Sequence, residues 1–286
     1  MKTQDPITDP TLIRETFQKQ GYWVEPQLLT PEEVDAAREA VSECIHHVAQ
    51  PGVGEVKEYA GTSVQVQSPV SPFFFQLEPG LKLEDVAADE LELKVRKLMS
   101  FDREHAAFEA IAHGPHRLKS LLETLLGPDP ELFQSMALIK PPFIGTEKPW
   151  HQDNAYFNVT PLDAVIGVWI ALDHATVENG CMHVIPGGHD LGALKHHHDK
   201  DCEIIGGRLD PSEAVAVELP PGGALLFYGM LPHQTPPNRS SDRRRALQFH
   251  YHAATAVRTP TEEYDRIYAE KDGTPASCEA ARLAGI

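Results

Sequence analysis

Two histidines and one carboxylate carry the chemistry this chain could do. His151 and Asp153 are one residue apart in Pro149-Trp150-His151-Gln152-Asp153. In a strand, residues two apart point to the same side, so an imidazole and a carboxylate can reach one metal ion while Gln152 points away. His233 lies in Leu231-Pro232-His233-Gln234-Thr235, after the apolar run Ala224-Leu225-Leu226-Phe227-Tyr228, whose end would hold it rigidly. Two imidazoles and a carboxylate form the facial donor set of non-haem Fe(II) sites, which leaves half of an octahedron open for a bidentate cosubstrate and O2. With 15 His in the chain, an isolated His-x-Asp says little by itself, and the sequence downstream gives it weight.

After His233 a polar turn, Asn238-Arg239-Ser240-Ser241-Asp242, leads into Arg243-Arg244-Arg245-Ala246-Leu247-Gln248-Phe249-His250-Tyr251. Strand alternation puts Arg244 on one face with Ala246, Gln248 and His250, and Arg245 on the other with Leu247, Phe249 and Tyr251. An arginine aimed into a barrel needs an anion, because an unpaired buried charge is very costly. Its planar fork suits a carboxylate. Arg243 reads as a solvated strand start, and one of Arg244 and Arg245 is the expected anchor for a dicarboxylate cosubstrate.

These residues need a scaffold. The first third of the chain reads as helical. A helix over Thr11 to Gln20 stops at Gly21, and a second starts from Thr30 with Pro31 first and Glu33 completing a capping box, burying Val34, Val41, Ile45 and Val48. Residues 51–90, rich in Pro, Gly and acids with Phe73-Phe74-Phe75, read as a long irregular loop with a short strand or two. The Phe cluster reads as core, with a substrate-side role as the alternative. His105 to Leu126 reads as one or two helices. From about residue 131 strands take over: Gln134 to Lys140, Val165 to Leu172 (apolar on both faces), Cys181 to Ile185, Ala214 to Leu219, Ala224 to Tyr228 and Arg244 to His252. Turn residues separate them, and no internal repeat is evident. Short strands punctuated in this way suggest a sandwich or barrel, so the fold class is α+β, with the helices buttressing a barrel.

Composition excludes several classes. The net charge of −17 argues against a nucleic-acid or anionic-membrane partner. Four scattered cysteines, Cys44, Cys181, Cys202 and Cys278, indicate a reduced intracellular protein without a disulfide framework. The N-terminal residues contain no signal-peptide core, and no apolar run is long enough to span a bilayer. A cytoplasmic protein is expected.

Taken together these residues resemble the phytanoyl-CoA dioxygenase (PhyH-like) family of Fe(II)/2-oxoglutarate oxygenases. The similarity begins at Phe17-Gln18-Lys19-Gln20-Gly21-Tyr22 and Leu29-Thr30-Pro31-Glu32-Glu33-Val34. It continues through Gln134-Ser135-Met136, Trp150 to Asp153, Gly167 to Leu172, Glu178 to Met182 and Ile185-Pro186-Gly187-Gly188-His189, and closes over His233 to Tyr251. The resemblance implies a single domain over 1–286 folded as a double-stranded β-helix, a jelly-roll or cupin-like barrel. Its helical, loop-rich part would cover about 1–130, its β-helix core about 131–256 and a helical tail about 257–286. It implies His151, Asp153 and His233 as iron ligands and Arg244 as the 2-oxoglutarate anchor. Thr235 would also touch that carboxylate, and Trp169 and Met136 would line the cosubstrate pocket, with Gln134 on the same strand. Arg96, with Lys94 and Lys97 beside it, lies nearest a second anchor used by some relatives. His189 would belong to its turn, while His183 and the run His196-His197-His198 would lie off the site, the run in a loop or on the surface.

The implied reaction consumes 2-oxoglutarate and O2, releases succinate and CO2, and hydroxylates a small-molecule metabolite. Related halogenases lack the carboxylate, so Asp153 favours hydroxylation over halide transfer. Desaturation, epimerisation and cyclisation use the same chemistry and stay open, as does a non-catalytic metal-binding barrel. The acidic balance does not favour a CoA thioester, and oligomeric state is left open.

Overall fold

The computed structural model describes residues 9–59, 63–157, 159–198 and 202–268. Its first helix, Pro10–Gln20, ends at Gly21, whose φ of 83° suits a residue without Cβ and whose N–H bonds back to the Phe17 carbonyl at 2.7 Å. The second, Pro31–Ala49, has the full capping box: the Thr30 N–H donates to Glu33 at 2.8 Å and the Glu33 N–H to Thr30 Oγ1 at 3.3 Å. The expected stripe Val34, Val41, Ile45 and Val48 is buried. The segment from His105 to Leu126 forms two helices, Ala106–His113 and Arg117–Leu126, with His105 and His116 as N-caps.

Nine strands form the main sheet, in the order Tyr22–Glu25, Ala224–Tyr228, Val165–Ala171, Arg244–His252, Glu131–Lys140, Val95–Met99, Phe74–Leu77, Ser63–Gln67, Glu55–Tyr59. Four strands form a second sheet, in the order Val215–Val217, Met182–Val184, His233–Thr235, Lys148–His151. Every pairing in both is antiparallel. Helix residues Phe17, Ile45, Phe108 and Leu121 pack with Val168, Ile170, Leu226, Leu247 and Phe249 on one face of the main sheet. The opposite face sends Trp169, Ala171, Leu225, Phe227 and Ala246 against Met182, Val184 and Val217 of the second sheet. The Val165–Ala171 strand is therefore buried on both faces, and its unbroken apolar sequence follows from that.

The 51–90 segment is more regular than its composition suggests. It supplies three strands, and with Tyr22–Glu25 and Val95–Met99 the chain before residue 130 supplies five strands of the main sheet. The outer pair lies at the sheet edge, where Val56 is 57% exposed, so these strands lack the apolar density of a buried one. Proline, glycine and acids fill the turns between them. Phe73 and Phe75 belong to the helix-side core, while Phe74 pairs with Met99. Cys44 and Cys181 are buried free thiols. The helix Thr261–Tyr268 begins the expected tail, and residues 269–286, with Cys278, lie outside the described residues. Among the described residues no helix is long and apolar enough to cross a membrane.

Candidate metal centre

His151 ends the Lys148–His151 strand and His233 begins His233–Thr235, and the two residues are register partners with ring centroids 4.2 Å apart. His233 thus heads a strand of its own in the second sheet. In each ring Nδ1 donates to the carbonyl two residues earlier, Pro149 at 2.7 Å and Leu231 at 2.9 Å. A carbonyl only accepts, so the hydrogen sits on Nδ1 and the Nε2 lone pair is left for a metal.

Asp153 is not in the strand. The chain leaves it at His151, passes Gln152 in extended conformation and opens a 3₁₀ turn at Asp153. Gln152 does point away from the carboxylate. Its side chain donates to the Gly192 and Met230 carbonyls at 2.9 and 2.7 Å and accepts from the Leu194 N–H at 2.8 Å. Its own N–H donates to His196 Nε2 at 3.0 Å. The Asn154 N–H bonds to the Gly229 carbonyl at 2.9 Å, which fixes the turn from the other side. Asp153 Oδ1 then lies 3.4 Å from His151 Nε2 and 3.5 Å from His233 Nε2. All three side chains are buried, and their donor atoms lie within 4.8 Å of one another. Donors roughly 2.1 Å from a shared ion at right angles stand about 3 Å apart, so little movement would seat an ion here. Burial opposes ionisation of Asp153, but His233 and His250 beside it hold its carboxyl well below the usual carboxylate range. Burial, with His233 alongside, pushes His151 down to about 4, which keeps the ring neutral and able to ligate.

The other carboxylate oxygen faces two residues that the sequence reading did not single out. Asp153 Oδ2 lies 2.8 Å from His250 Nε2 and 3.2 Å from Gln248 Nε2. Their shared face with Arg244 was visible in the alternation. Their contact with Asp153 depends on how the two sheets meet, which no local pattern encodes.

The three arginines have separate surroundings. Arg243 pairs with Glu92 at 2.8 Å. Arg245 forms a two-pronged pair with Asp173 through Nε and Nη2 at 2.9 and 2.8 Å. Arg244, 1% exposed, has no carboxylate beside it among the described contacts. It donates to the Leu138 and Gly180 carbonyls at 3.2 and 3.3 Å, lies 5.2 Å from the Trp169 ring, and its Nε is buried without a hydrogen-bond partner. Burial pushes its guanidinium down to about 10. A buried cation whose only partners are neutral carbonyls is a place for an anion.

Trp169 is fully buried, and its indole Nε1 also lacks a partner. Met136 sits in one cross-strand row with Met99, Gln248 and Trp169. Thr235 is buried two residues beyond His233. Gln134 is the register partner of His250 and not of Arg244, which stands roughly 20 Å along the strand at about 3.3 Å per residue. Gln134 is therefore remote from the Arg244 end. Arg96 is close enough to Glu78 and Lys140 to influence both electrostatically. Lys97 opposes Leu138, and Lys94 offers its carbonyl to the Glu78 N–H at 2.8 Å.

One buried amine near Arg244 was not singled out from the sequence. Lys140 is the register partner of Arg244, and its Nζ donates to the Thr146 carbonyl and to the Thr235 carbonyl, the latter at 3.3 Å. His196 corrects an expectation: it is fully buried, not in a surface loop, with Nδ1 bonded to the Leu194 carbonyl at 2.8 Å. His189 does belong to its turn and donates to the Gln18 carbonyl at 3.0 Å.

Residues 17–246 match the family model for phytanoyl-CoA dioxygenase (PhyH). The chain is 30% identical over 266 residues to phytanoyl-CoA dioxygenase domain-containing protein 1 of Danio rerio, covering 86% of this chain and 90% of that protein. It is 28% identical over 253 residues to phytanoyl-CoA dioxygenase of Arabidopsis thaliana, covering 82% and 85%. EvdO2 from Micromonospora carbonacea var. aurantiaca, solved in complex with 2-oxoglutarate, superposes with a TM-score of 0.64 at 27% identity, over 91% of this chain and 96% of that one. The mixed α/β architecture of antiparallel sheets is the cupin-like fold of such oxygenases. Over most of its length, then, this chain belongs to the phytanoyl-CoA dioxygenase family.

Proposed function

We propose that this chain, a dioxygenase-type enzyme by family, is an Fe(II)- and 2-oxoglutarate-dependent oxygenase that hydroxylates a small-molecule metabolite. In this reading its two sheets form a double-stranded β-helix, and His151, Asp153 and His233 hold the iron. The observation that carries the proposal is Arg244. A buried guanidinium without a carboxylate partner lies on the strand that also supports Asp153, while the neighbouring Arg245 is satisfied by Asp173. A dicarboxylate with one end on the metal and the other on Arg244 would satisfy both groups.

Iron(II) bound at the triad would supply the oxidising chemistry that couples decarboxylation of 2-oxoglutarate by O2 to hydroxylation of the substrate. The chain's own residues do the placement. The Pro149 and Leu231 carbonyls fix which nitrogen of each imidazole faces the metal. Thr235, two residues beyond His233, lies on the cosubstrate side, with Trp169 and Met136 as apolar wall. Phe227, 4.7 Å from the His233 ring, shields that imidazole from water. Gln134, register partner of His250, stands in this reading toward the metal end of the site, away from Arg244.

Anaerobic addition of Fe(II) and 2-oxoglutarate should give the visible absorption of the ternary complex. Admitting O2 with a panel of small metabolites should release succinate matched to O2 uptake and yield a product with one added oxygen atom. His151→Ala should lose both signals. An iron-loaded protein that neither binds 2-oxoglutarate nor forms succinate with any member of the panel overturns the proposal.

A further inference from the structure

We infer that His250 and Gln248 are positioning residues that confine Asp153 to a single-oxygen metal ligand. This rests on the metal reading of the triad and extends it to residues outside the ligand set. Asp153 Oδ1 faces both ligand imidazoles, at 3.4 and 3.5 Å, while Oδ2 lies 2.8 Å from His250 Nε2 and 3.2 Å from Gln248 Nε2. An ionised carboxylate only accepts, so His250 carries its hydrogen on Nε2. His151 and His233 carry theirs on Nδ1. His250 therefore holds the tautomer opposite to the two ligands, and its Nε2 is committed to the carboxylate and closed to a metal.

Gln248 Nε2 and His250 Nε2 are only 3.1 Å apart. Two N–H donors so close repel each other unless they share a negative acceptor, and Asp153 Oδ2 is that acceptor. Both residues belong to Arg244–His252, which is paired on both sides, with Gln248 between Met136 and Trp169 and His250 between Gln134 and Gly167. Phe157, 4.8 Å away by ring centroids, holds the His250 ring from one side. The main sheet thus grips one oxygen of a carboxylate whose other oxygen faces ligands on the second sheet. The grip has a chemical consequence. Three protein donors leave half of an octahedron open. A carboxylate bound through both oxygens would take one of those positions, and a bidentate cosubstrate would then leave no room for O2.

His250→Phe keeps the aromatic packing and removes the donor, Gln248→Met keeps the length and removes the amide, and His250→Gln keeps a donor. Co(II) titration of the full chain, read by calorimetry and by the ligand-field spectrum, tests all three. The expected result is about 10–100-fold weaker Co(II) binding for His250→Phe and for Gln248→Met, a spectral change that marks an altered coordination number, and substantial recovery of both in His250→Gln. A role in packing alone would lower the melting temperature of the metal-free variants and leave the Co(II) spectrum unchanged. Wild-type affinity and spectrum in a folded His250→Phe overturn the inference. Should that variant fail to fold, wild-type behaviour of Gln248→Met overturns it instead. Absence of Co(II) binding by the wild-type chain would sink the metal reading itself, a different outcome from either.

Discussion

His151 and His233 meet residue against residue across one antiparallel strand pair, and each ring is tethered through Nδ1 to the backbone carbonyl two residues before it. The pair is thus set by register: a slip of one residue would turn one imidazole away from Asp153. Replacing His233 by Ala should abolish Co(II) binding, a loss beyond the roughly 10–100-fold expected for a supporting partner. The fold should survive, because His233–Thr235 is also paired on its other side, where Val184 faces His233 and His183 faces Gln234. Metal titration together with far-UV circular dichroism checks both halves. A variant that unfolds would show that the imidazole supports the sheet more than it serves a metal.

Arg244 and Arg245 are neighbours with different partners, so under the proposed function their variants should separate. Arg245→Met leaves the half-buried Asp173 carboxylate without its two-pronged partner and should cost about 2–4 kcal/mol of stability, with 2-oxoglutarate affinity little changed. Arg244→Met removes a buried cation with no anion beside it. It should leave stability unchanged or higher and weaken 2-oxoglutarate binding about 100-fold or more, as loss of a two-pronged charged contact does. Denaturant titration and anaerobic cosubstrate titration read the two effects.

The alternation that sets these two arginines on opposite faces was plain in the sequence, since Arg244–His252 keeps strict period two through a strand buried on both faces, but it did not say which of them lacks a carboxylate. The grouping of His151, Asp153 and His233 was also legible, because it depends on local spacing and on one distant strand. The role of His250 was not. Its face could be read, but its contact with Asp153 is made by a turn about a hundred residues earlier, held by Gln152 reaching Gly192, Leu194 and Met230. His196 misled for a related reason. A run of three histidines looks solvated, yet its first member fills the space behind Gln152 and accepts that residue's N–H. The 55–67 strands were under-read because an edge hairpin with half its side chains exposed carries little apolar signal.

Lys140 gives the pH dependence. Burial first, and the Arg244 charge second, push its ammonium down from 10.5 to about 6, while Glu78 and Glu147 oppose the shift and Arg96 adds to it. Between those two values the unfolded chain holds a proton that the folded chain releases. Stability should therefore rise with pH across that window, and the penalty of the buried charge should be fully expressed below pH about 6. Lys140→Met should flatten this slope and stabilise the protein near neutrality by about 1–4 kcal/mol, less whatever the Thr146 and Thr235 carbonyls lose as partners. Urea titrations at several pH values across the window are the measurement, and an unchanged slope in the variant would show that Lys140 is not its source.

The helix Thr261–Tyr268 lies over the anchor of the Asp153 turn. The Tyr264 hydroxyl donates to the Ala155 carbonyl, inside that turn. The Tyr268 hydroxyl reaches the Met230 sulfur at 3.3 Å, and the Tyr268 ring lies 5.9 Å from His196. Met230 and His196 are among the residues that hold Gln152, so this helix acts on the candidate metal site through the residue between His151 and Asp153. Tyr268→Ala should lower stability by about 3–5 kcal/mol, as other large buried rings do. Tyr264→Phe should cost about 1 kcal/mol, one hydrogen bond without loss of packing. Both should weaken Co(II) binding while leaving the ligands themselves intact, Tyr268→Ala the more. Adding saturating Co(II) should then restore part of the lost melting temperature, since a ligand that binds only the folded state stabilises it by mass action. If Tyr268→Ala melts early but binds Co(II) as tightly as the wild type, the helix supports the fold and does not set the geometry of Asp153.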